Sequence, residues 1–447
     1  MFAIQRIATR ALLASAAVLI ALNAQAAVPI EHWTLSNGAQ VWLASVDSLP
    51  ILDLQLDFDA GSRRDPPALA GLASVTAEMV EKGVRASGTE PALDQNALGE
   101  AWADLGAEFD AGVSTDRMSF TLRSLTEPAL LGKAVALSAR VIGEPSFPED
   151  VWQRDRERFV ASLKEADTRP ATLAAKRFAA AVYGTHPYGY EVTEATLARI
   201  DTAAMRQRYA EFLAPCRAKV SMVGAVTRAQ ADRMAAELLS RLPGNGNCAA
   251  LPPVPEVPAL TAPALQRLPF DSAQAHVVIG QPGYSYADPD RFALNAGNYV
   301  LGGGGFVSRL TEEVREKRGL AYSVGSGFAP GLHAGAFRIG FQTRPDQADE
   351  AVKVSRDVLA KFVAEGPTDA ELKAAKDNLV GGFPLLIDSN RKLLGNVANI
   401  AWNNLPLDYL ETWTARMNAV TATDVKAAMA RKLQPGRMVT VIVGAKP

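Results

Sequence analysis

Histidine is scarce in this sequence. Only four occur in 447 residues, His32, His186, His276 and His333, and none has another one helical turn away. A paired-histidine metal site built on one helix is thereby excluded. Cysteine is scarcer, with Cys216 and Cys248 alone. Two cysteines with no histidine nearby in sequence make a poor zinc signature, and spacing cannot show whether they bond to each other. Charge of one sign is lacking too: 46 Lys and Arg balance 48 Asp and Glu, for a net charge of −2. Nothing here points to nucleic acid or an anionic membrane surface. No apolar run beyond residue 22 is long enough to span a bilayer. The four glycines at residues 302–305 lead into no G-x-x-x-x-G-K-[ST], so phosphate binding is not indicated.

What is present begins with a removable leader. Arg6 and Arg10 precede an apolar run at residues 11–22, and Ala24-Gln25-Ala26 has the small-x-small pattern of a cleavage site. Residues 1–26 therefore read as a signal peptide. No cysteine follows to carry a lipid, and a periplasmic location free of the membrane is expected. Losing the two arginines takes the charge from −2 to −4. About 420 residues remain, enough for two or three cored domains. A content of 48% hydrophobic and 21% charged residues fits an ordinary globular protein. An oxidising compartment permits a Cys216–Cys248 bond, since each lies at the edge of one strand–helix unit.

Along the chain, residues 31–46 read as a hairpin turning at Ser36-Asn37-Gly38. Residues 51–59 (ILDLQLDFD) alternate like a half-buried strand, and residues 69–82 read as a helix ended by Gly83. Residues 107–125 carry two strands, with helices at 127–142, 148–166, 172–183 and 201–212. A strand at 217–224 and a helix at 228–242 follow. Residues 251–263 hold five prolines and read as a linker. Beyond it the plan recurs, with strands at 276–280, 322–328, 336–343 and 438–444 and helices between. The expected architecture is α+β: a duplicated unit in which an antiparallel-rich sheet is backed by helices, over residues 27–250 and 264–447.

The most informative stretch is residues 301–328, LGGGGFVSRLTEEVREKRGLAYSVGSGF. Leu310 and Val314 lie four apart, so residues 308–318 read as an amphipathic helix, with Gly319 as its C-cap. Residues 320–324 read as the start of a strand. Arg315 and Tyr322 then flank a helix-to-strand turn, where two side chains can converge on one group. This stretch resembles the C-terminal-half motif of the pitrilysin/insulinase family of zinc metallopeptidases, in which "SRL…E-x-R-E-K-R-G-L-x-Y-S" follows a small-residue loop. The resemblance covers nearly the whole mature chain. It implies two homologous α/β-roll domains facing each other like a clamshell. It also places the family's substrate-contacting arginine and tyrosine on Arg315 and Tyr322.

The family's zinc motif, H-x-x-E-H on the first long helix, is the part this sequence departs from. The frame survives at Gly71-Leu72-Ala73 and Lys82-Gly83, but Ser74, Ala77 and Glu78 stand at the histidine, base and histidine positions. Counting back from Pro170 puts Ser162 at the third ligand, with Lys164 and Glu165 nearby. The resemblance thus implies a chain that binds no metal itself and works with a zinc-bearing homologous subunit on a peptide substrate. Arg315 and Tyr322 would bind that substrate and stabilise the developing oxyanion, and a sheet edge would take the peptide by strand addition. A non-catalytic peptide-binding or scaffold protein, and a stand-alone peptidase with a relocated metal, are the competing readings.

Overall fold

The Asn37-Gly38 turn joins β1 (Ile30–Thr34) to β2 (Gln40–Ser45), with Asn37 Oδ1 accepting from the Ala39 amide at 3.0 Å. In the computed structural model, which describes residues 28–242 and 248–444, this hairpin opens a six-stranded sheet. The signal-peptide reading falls on residues 1–26 and lies outside the described residues. The other strands of the sheet are β3 (Ile51–Phe58), β4 (Glu108–Val113), β5 (Met118–Leu125) and β6 (Lys219–Gly224), in the order β1-β2-β6-β3-β5-β4. One pair, β2 with β6, is parallel; the remaining pairs are antiparallel.

The second half builds a five-stranded sheet from β7 (Ala264–Leu268), β8 (Ala275–Tyr284), β9 (Val324–Phe328), β10 (Gly335–Thr343) and β11 (Val439–Val443), in the order β9-β10-β8-β11-β7. Again one pair, β11 with β7, is parallel. Read from the other side, β7-β11-β8-β10-β9 repeats β2-β6-β3-β5-β4, so the duplicated unit is present in the strand order itself. Only β1 has no counterpart. Strand β7 was not foreseen: its residues, ALQRL, do not alternate between apolar and polar, because this edge strand leaves Leu265 exposed.

Helices back each sheet as expected, Pro128–Gly143 and Arg228–Leu239 in the first half and Ala348–Glu365 and Ala422–Lys432 in the second. The opposite faces are covered differently. Helix Pro170–Tyr183 leaves the first half and lays Ala174, Phe178 and Val182 against Val439, Val441 and Val443 of β11. Helix Asn390–Trp402 returns the exchange, packing Leu393, Leu394 and Val397 against Trp42, Ala44 and Val223 of the first sheet. Lys219 of β6 closes that contact, its Nζ donating to the carbonyls of Ala401 (2.6 Å) and Trp402 (3.3 Å) and to Asn404 Oδ1 (2.8 Å). A cation at a helix C-terminus also complements the helix dipole.

The exchange corrects the reading of β3 as half-buried. Its second face is covered from the other half, so Asp53 and Asp57 are buried along with the leucines. Buried carboxylates need partners. Asp57 has Arg117 Nη1 at 3.2 Å and the Ser119 hydroxyl, and Asp53 has Arg123 Nη1 at 2.7 Å.

Two further features tie the chain down. Cys216 and Cys248 are disulfide-bonded across a sequence separation of 32. A loop of that size is worth about 3–4 kcal/mol in the chain-entropy account. The proline-rich segment at 251–263 has no helix or strand and is held by ring nitrogens: His186 Nε2 lies 2.9 Å from the Pro255 carbonyl, and His333 Nδ1 lies 3.0 Å from Glu256 Oε1.

Phe178→Ala should cost about 3–5 kcal/mol, the usual range for emptying a buried aromatic site. The loss should be felt in the half that Phe178 does not belong to. Hydrogen exchange should show deprotection of Val439–Val443 well before that of the first sheet.

Candidate functional site

The segment carrying Arg315 is anchored at both ends. Ser308 Oγ donates to the Gly305 carbonyl at 2.7 Å. Arg309 grips Glu371 through Nε and Nη2, both at 2.7 Å, and its Nη2 reaches the Gly366 carbonyl at 3.1 Å. This fork, with the Thr368 amide and hydroxyl also on Glu371, pulls the Glu371 carboxyl down to about 2; the Arg309 bonds contribute most and burial opposes them. Inward, Leu310 and Val314 are fully buried, as their spacing predicts.

The helix itself is not α throughout. Thr311–Glu316 forms a π-helical turn, and a second one, Tyr299–Gly303, precedes the glycine loop. The wide turn shows in Lys317 N bonding to Glu312 O at 2.9 Å, and the segment is capped by Leu320 N on Val314 O at 2.9 Å. Gly319 takes φ +61°, the left-handed cap expected of it. Gly302 is required by close approach: a Cβ there would lie 2.6 Å from the Ser326 amide nitrogen of β9.

Strand β9 starts at Val324, two residues later than the sequence suggests, which leaves Tyr322 in the bend between them. Buried Leu320, Ala321 and Val324 fix the backbone there and turn Tyr322 out, 80% exposed. Arg315 and Tyr322 do converge. The Arg315 guanidinium carbon stands 5.0 Å from the Tyr322 ring centre and 4.6 Å from that of Phe306, so the cation is held between two rings. Its Nε pairs with Glu316 Oε1 at 3.2 Å. Among the described residues, neither the Arg315 Nη groups nor the Tyr322 hydroxyl has a hydrogen-bond partner. The cationic fork and the phenol are both open to a ligand, and Phe306, 70% exposed, joins them. Phe306 was missed because an aromatic after a glycine run carries no chemistry of its own in sequence.

The edge beside this pair is partly taken. Asn298 Nδ2 donates to the Ser326 carbonyl of β9 at 3.2 Å, and Ser326 Oγ donates to Asn298 Oδ1 at 2.8 Å. The edge strand of the first half, β4, likewise gives its Ala111 amide to Glu81 Oε1 at 2.7 Å. At the Tyr322 end of β9 the Val324 carbonyl accepts from Thr311 Oγ1 at 3.4 Å and Gly302 packs on the Ser326 amide, so this edge is covered by its own chain rather than open to an added peptide strand.

The other half of the expected site has different chemistry. On helix Leu72–Val80, Ser74 is exposed, Ala77 is buried, and Glu78 faces Lys82 Nζ at 3.9 Å. The third-ligand position needs correction. Lys164 is drawn away to Glu194 at 3.0 Å, and the carboxylate reaching this helix is Asp155, two turns before Ser162, with Lys82 Nζ 3.8 Å away. Asp155 is 1% exposed and bears Arg154 Nε at 3.1 Å and Arg158 Nη2 at 2.9 Å. Two carboxylates, one serine and three surrounding cations do not fit a zinc ion, which wants three or four imidazole, thiolate or carboxylate donors. Among the described residues, no three His, Cys, Asp or Glu side chains are grouped to hold a metal.

Two helix-exchanged α/β rolls, with an exposed Arg–Tyr pair in one and, among the described residues, no metal-holding group in either, define a metallopeptidase-like class of fold. Comparison with known proteins gives the family. Residues 43–196 match the profile described as insulinase (peptidase family M16), and residues 199–379 match the one described as peptidase M16 inactive domain. The crystal structure of a peptidase M16 inactive domain from Pseudomonas fluorescens superposes with a TM-score of 0.87 at 33% identity, covering 94% of this chain and 98% of that one. The chain belongs to the peptidase M16, or insulinase, family. It is also 27% identical over 405 residues to an uncharacterized zinc protease of Streptomyces coelicolor, covering 89% of this chain and 86% of the relative. To a protein of Helicobacter pylori described as a non-peptidase homolog it is 25% identical over 390 residues, covering 84% and 85%.

The Arg309–Glu371 fork should show in acid. Glu371 has its carboxyl depressed below the ordinary 4.5, so the stability it contributes is complete above about pH 4.5 and lost as pH falls through about 2. Glu371→Gln should flatten that part of the stability-against-pH curve, measured by urea unfolding between pH 5 and about 2, relative to wild type.

Proposed function

We infer that this chain is the zinc-less subunit of a two-chain M16 peptidase, supplying Arg315 and Tyr322 to a site whose metal, ligands and base come from a homologous zinc-bearing partner. One observation carries the reading: an arginine and a tyrosine with free donor groups converge at one surface, while the metal helix of the same chain has its carboxylates neutralised by Lys82, Arg154 and Arg158. The naming of one similar structure as an inactive domain, and of one relative as a non-peptidase homolog, supports it.

In this reading the substrate is a peptide in extended form. Arg315 holds a backbone carbonyl or carboxylate with its two Nη groups, coplanar in the delocalised guanidinium and oriented by the adjacent Phe306 and Tyr322 rings. Tyr322 donates its phenolic hydrogen to the carbonyl oxygen as that oxygen becomes an oxyanion, a donor worth about 10²–10³ in kcat. Export to the periplasm belongs to the same proposal, and the Cys216–Cys248 disulfide supports it, because such bonds persist in oxidising compartments.

The test is co-purification from the native host, then peptidase assays of each chain and of the mixture, with and without chelator. Hydrolysis is expected only in the mixture and only without chelator. Tyr322→Phe should lower kcat of the mixture about 10²–10³-fold with little change in KM, and Arg315→Met should chiefly raise KM. Metal-dependent cleavage by this chain alone would overturn the proposal. Peptide binding with no turnover in any mixture would replace it with a binding or scaffold role.

A further inference from the structure

Helix Pro170–Tyr183, which crosses from the first half onto the second, is followed by a short turn, Pro187–Gly189. His186 heads that turn and is 3% exposed. Its ring has two partners of opposite kind. The Tyr188 amide donates to Nδ1 at 3.1 Å, and Nε2 lies 2.9 Å from the Pro255 carbonyl. An amide N–H can only donate and a carbonyl can only accept, so Nδ1 is bare and Nε2 carries the hydrogen. The ring is therefore neutral and in one tautomer. A second proton could enter only at Nδ1, where it would face the Tyr188 N–H.

A joint between the two halves hangs on this turn. Tyr188 Oη donates to Asp116 Oδ1 at 2.7 Å and accepts from the His333 amide at 3.1 Å. Asp116 Oδ2 accepts from the Leu332 amide at 2.9 Å. Asp116 lies in the β4–β5 hairpin of the first half, and Leu332 and His333 lie in the β9–β10 hairpin of the second. The fit is close: a Cβ on Gly331 would stand 2.5 Å from Tyr188 Oη. Pro255 brings in the segment that links the halves. We propose that the His186 turn is an acid-sensitive latch between the halves, in which a proton on Nδ1 expels the Tyr188 amide and the turn then lets go of Asp116, the Leu332–His333 tip and Pro255 together. Tyr188, Asp116 and Leu332 also line a cleft of about 350 Å³, which gives the freed phenol room to turn.

The groups around the ring set the direction. Burial holds the His186 imidazole below its usual range. The Pro255 carbonyl and Glu256 favour a charge there, while His333, 5.5 Å away ring to ring, and Arg63 oppose one. Arg63 is itself shared by Asp59 and Asp116. Burial pushes the Tyr183 and Tyr188 phenols up, so both stay neutral. His333 is built the other way: its Nδ1 lies 3.0 Å from Glu256 Oε1, and a carboxylate accepts from a neutral or a charged ring alike. His186 alone must lose a bond when it gains a proton. The stability it contributes is complete above the ordinary 6.5 and is lost as pH falls below that through the lowered folded value. Across that window the open fraction rises about tenfold for each pH unit, one proton being taken up on opening.

The experiment uses the full chain. Its four histidines are labelled and titrated by NMR from about pH 8 to 5, with His186→Asn assigning one of the four signals. Hydrogen exchange, corrected for the pH dependence of the chemical step, is read over the same range. In wild type His186 is expected to titrate below 6.5. The Tyr188, Leu332 and His333 amides should exchange about tenfold faster for each pH unit below that value, with β3 and β5 unchanged. His186→Asn places an acceptor oxygen near the position of Nδ1 and cannot titrate, so these amides should stay protected in acid. Tyr188→Phe should free the His333 amide at every pH. A His186 that titrates at or above 6.5 sinks the latch, and so does an acid response that survives in His186→Asn. If that variant folds poorly, wild type decides alone: Leu332 and His333 amides that do not loosen as the pH falls refute the idea. No step of the test uses peptidase activity, so it stands apart from the roles given to Arg315 and Tyr322.

Discussion

Each half of this protein lends a helix to the other, and the rest of the structure follows from that loan. A sheet whose two faces are both apolar must have both covered, and here the second face of each half is covered by a helix from the other. Pro170–Tyr183 and Asn390–Trp402 occupy equivalent places in the duplicated unit and cross in opposite directions. The two sheets are therefore interdependent: removing either half would expose valines on β11 or Trp42 and Val223 on the first sheet. Burial of this kind drives association without directional bonds. Lys219 supplies direction, since its ammonium fits only where the last carbonyls of Asn390–Trp402 end. The same covering helix explains why β3 can hold two aspartates beneath it, each met by an arginine from β5 or its approaching turn.

That rigid frame separates two chemistries. The first half surrounds its metal-helix carboxylate with side-chain cations. Asp155 Oδ1 takes Arg154 and Arg158, while its buried Oδ2 has Lys82 Nζ at 3.8 Å and no hydrogen bond. The second half keeps its charged group at the surface and unsatisfied. Arg315 is stacked rather than paired on its faces, which restrains the fork without consuming its Nη donors. Arg309, six residues earlier, does the opposite: its Nε and Nη2 are committed to Glu371 and Gly366. Two arginines on one short segment thus divide into an anchor and a free hand, and the anchor keeps the hand in place.

Much of this was legible in the residues. The Asn37-Gly38 turn, the alternation of β5 and the four-residue spacing of Leu310 and Val314 depend on local periodicity, and local periodicity is what a sequence displays directly. The convergence of Arg315 and Tyr322 was also readable, because only a short turn separates them. The helix exchange was not. An amphipathic helix declares that it has an apolar face but not which sheet will cover it, and Ala174, Phe178 and Val182 look the same whichever half they serve. Counting to Ser162 bypassed Asp155 for a related reason: an offset counted along a helix errs by whole turns when its anchor, here Pro170, begins a different helix. The π-helical turns were illegible because a spacing of four, as between Leu310 and Val314, reads the same in an α-helix and in a segment with one wide turn.

The absence of zinc ligands and the presence of free donors are best understood as one condition. A tyrosine hydroxyl aimed at empty space does nothing for folding, and an aromatic ring exposed to water costs solubility. A chain that folds alone would ordinarily bury or pair such groups. Here the π-helical turns, the Gly302 contact and the Arg309 fork all hold them outward, so the backbone is spent on presentation. Presentation requires something to be presented to. In the proposed assembly a bound peptide would satisfy the fork and the rings, and the phenol would meet the charge that a zinc-bearing partner develops on the substrate carbonyl oxygen.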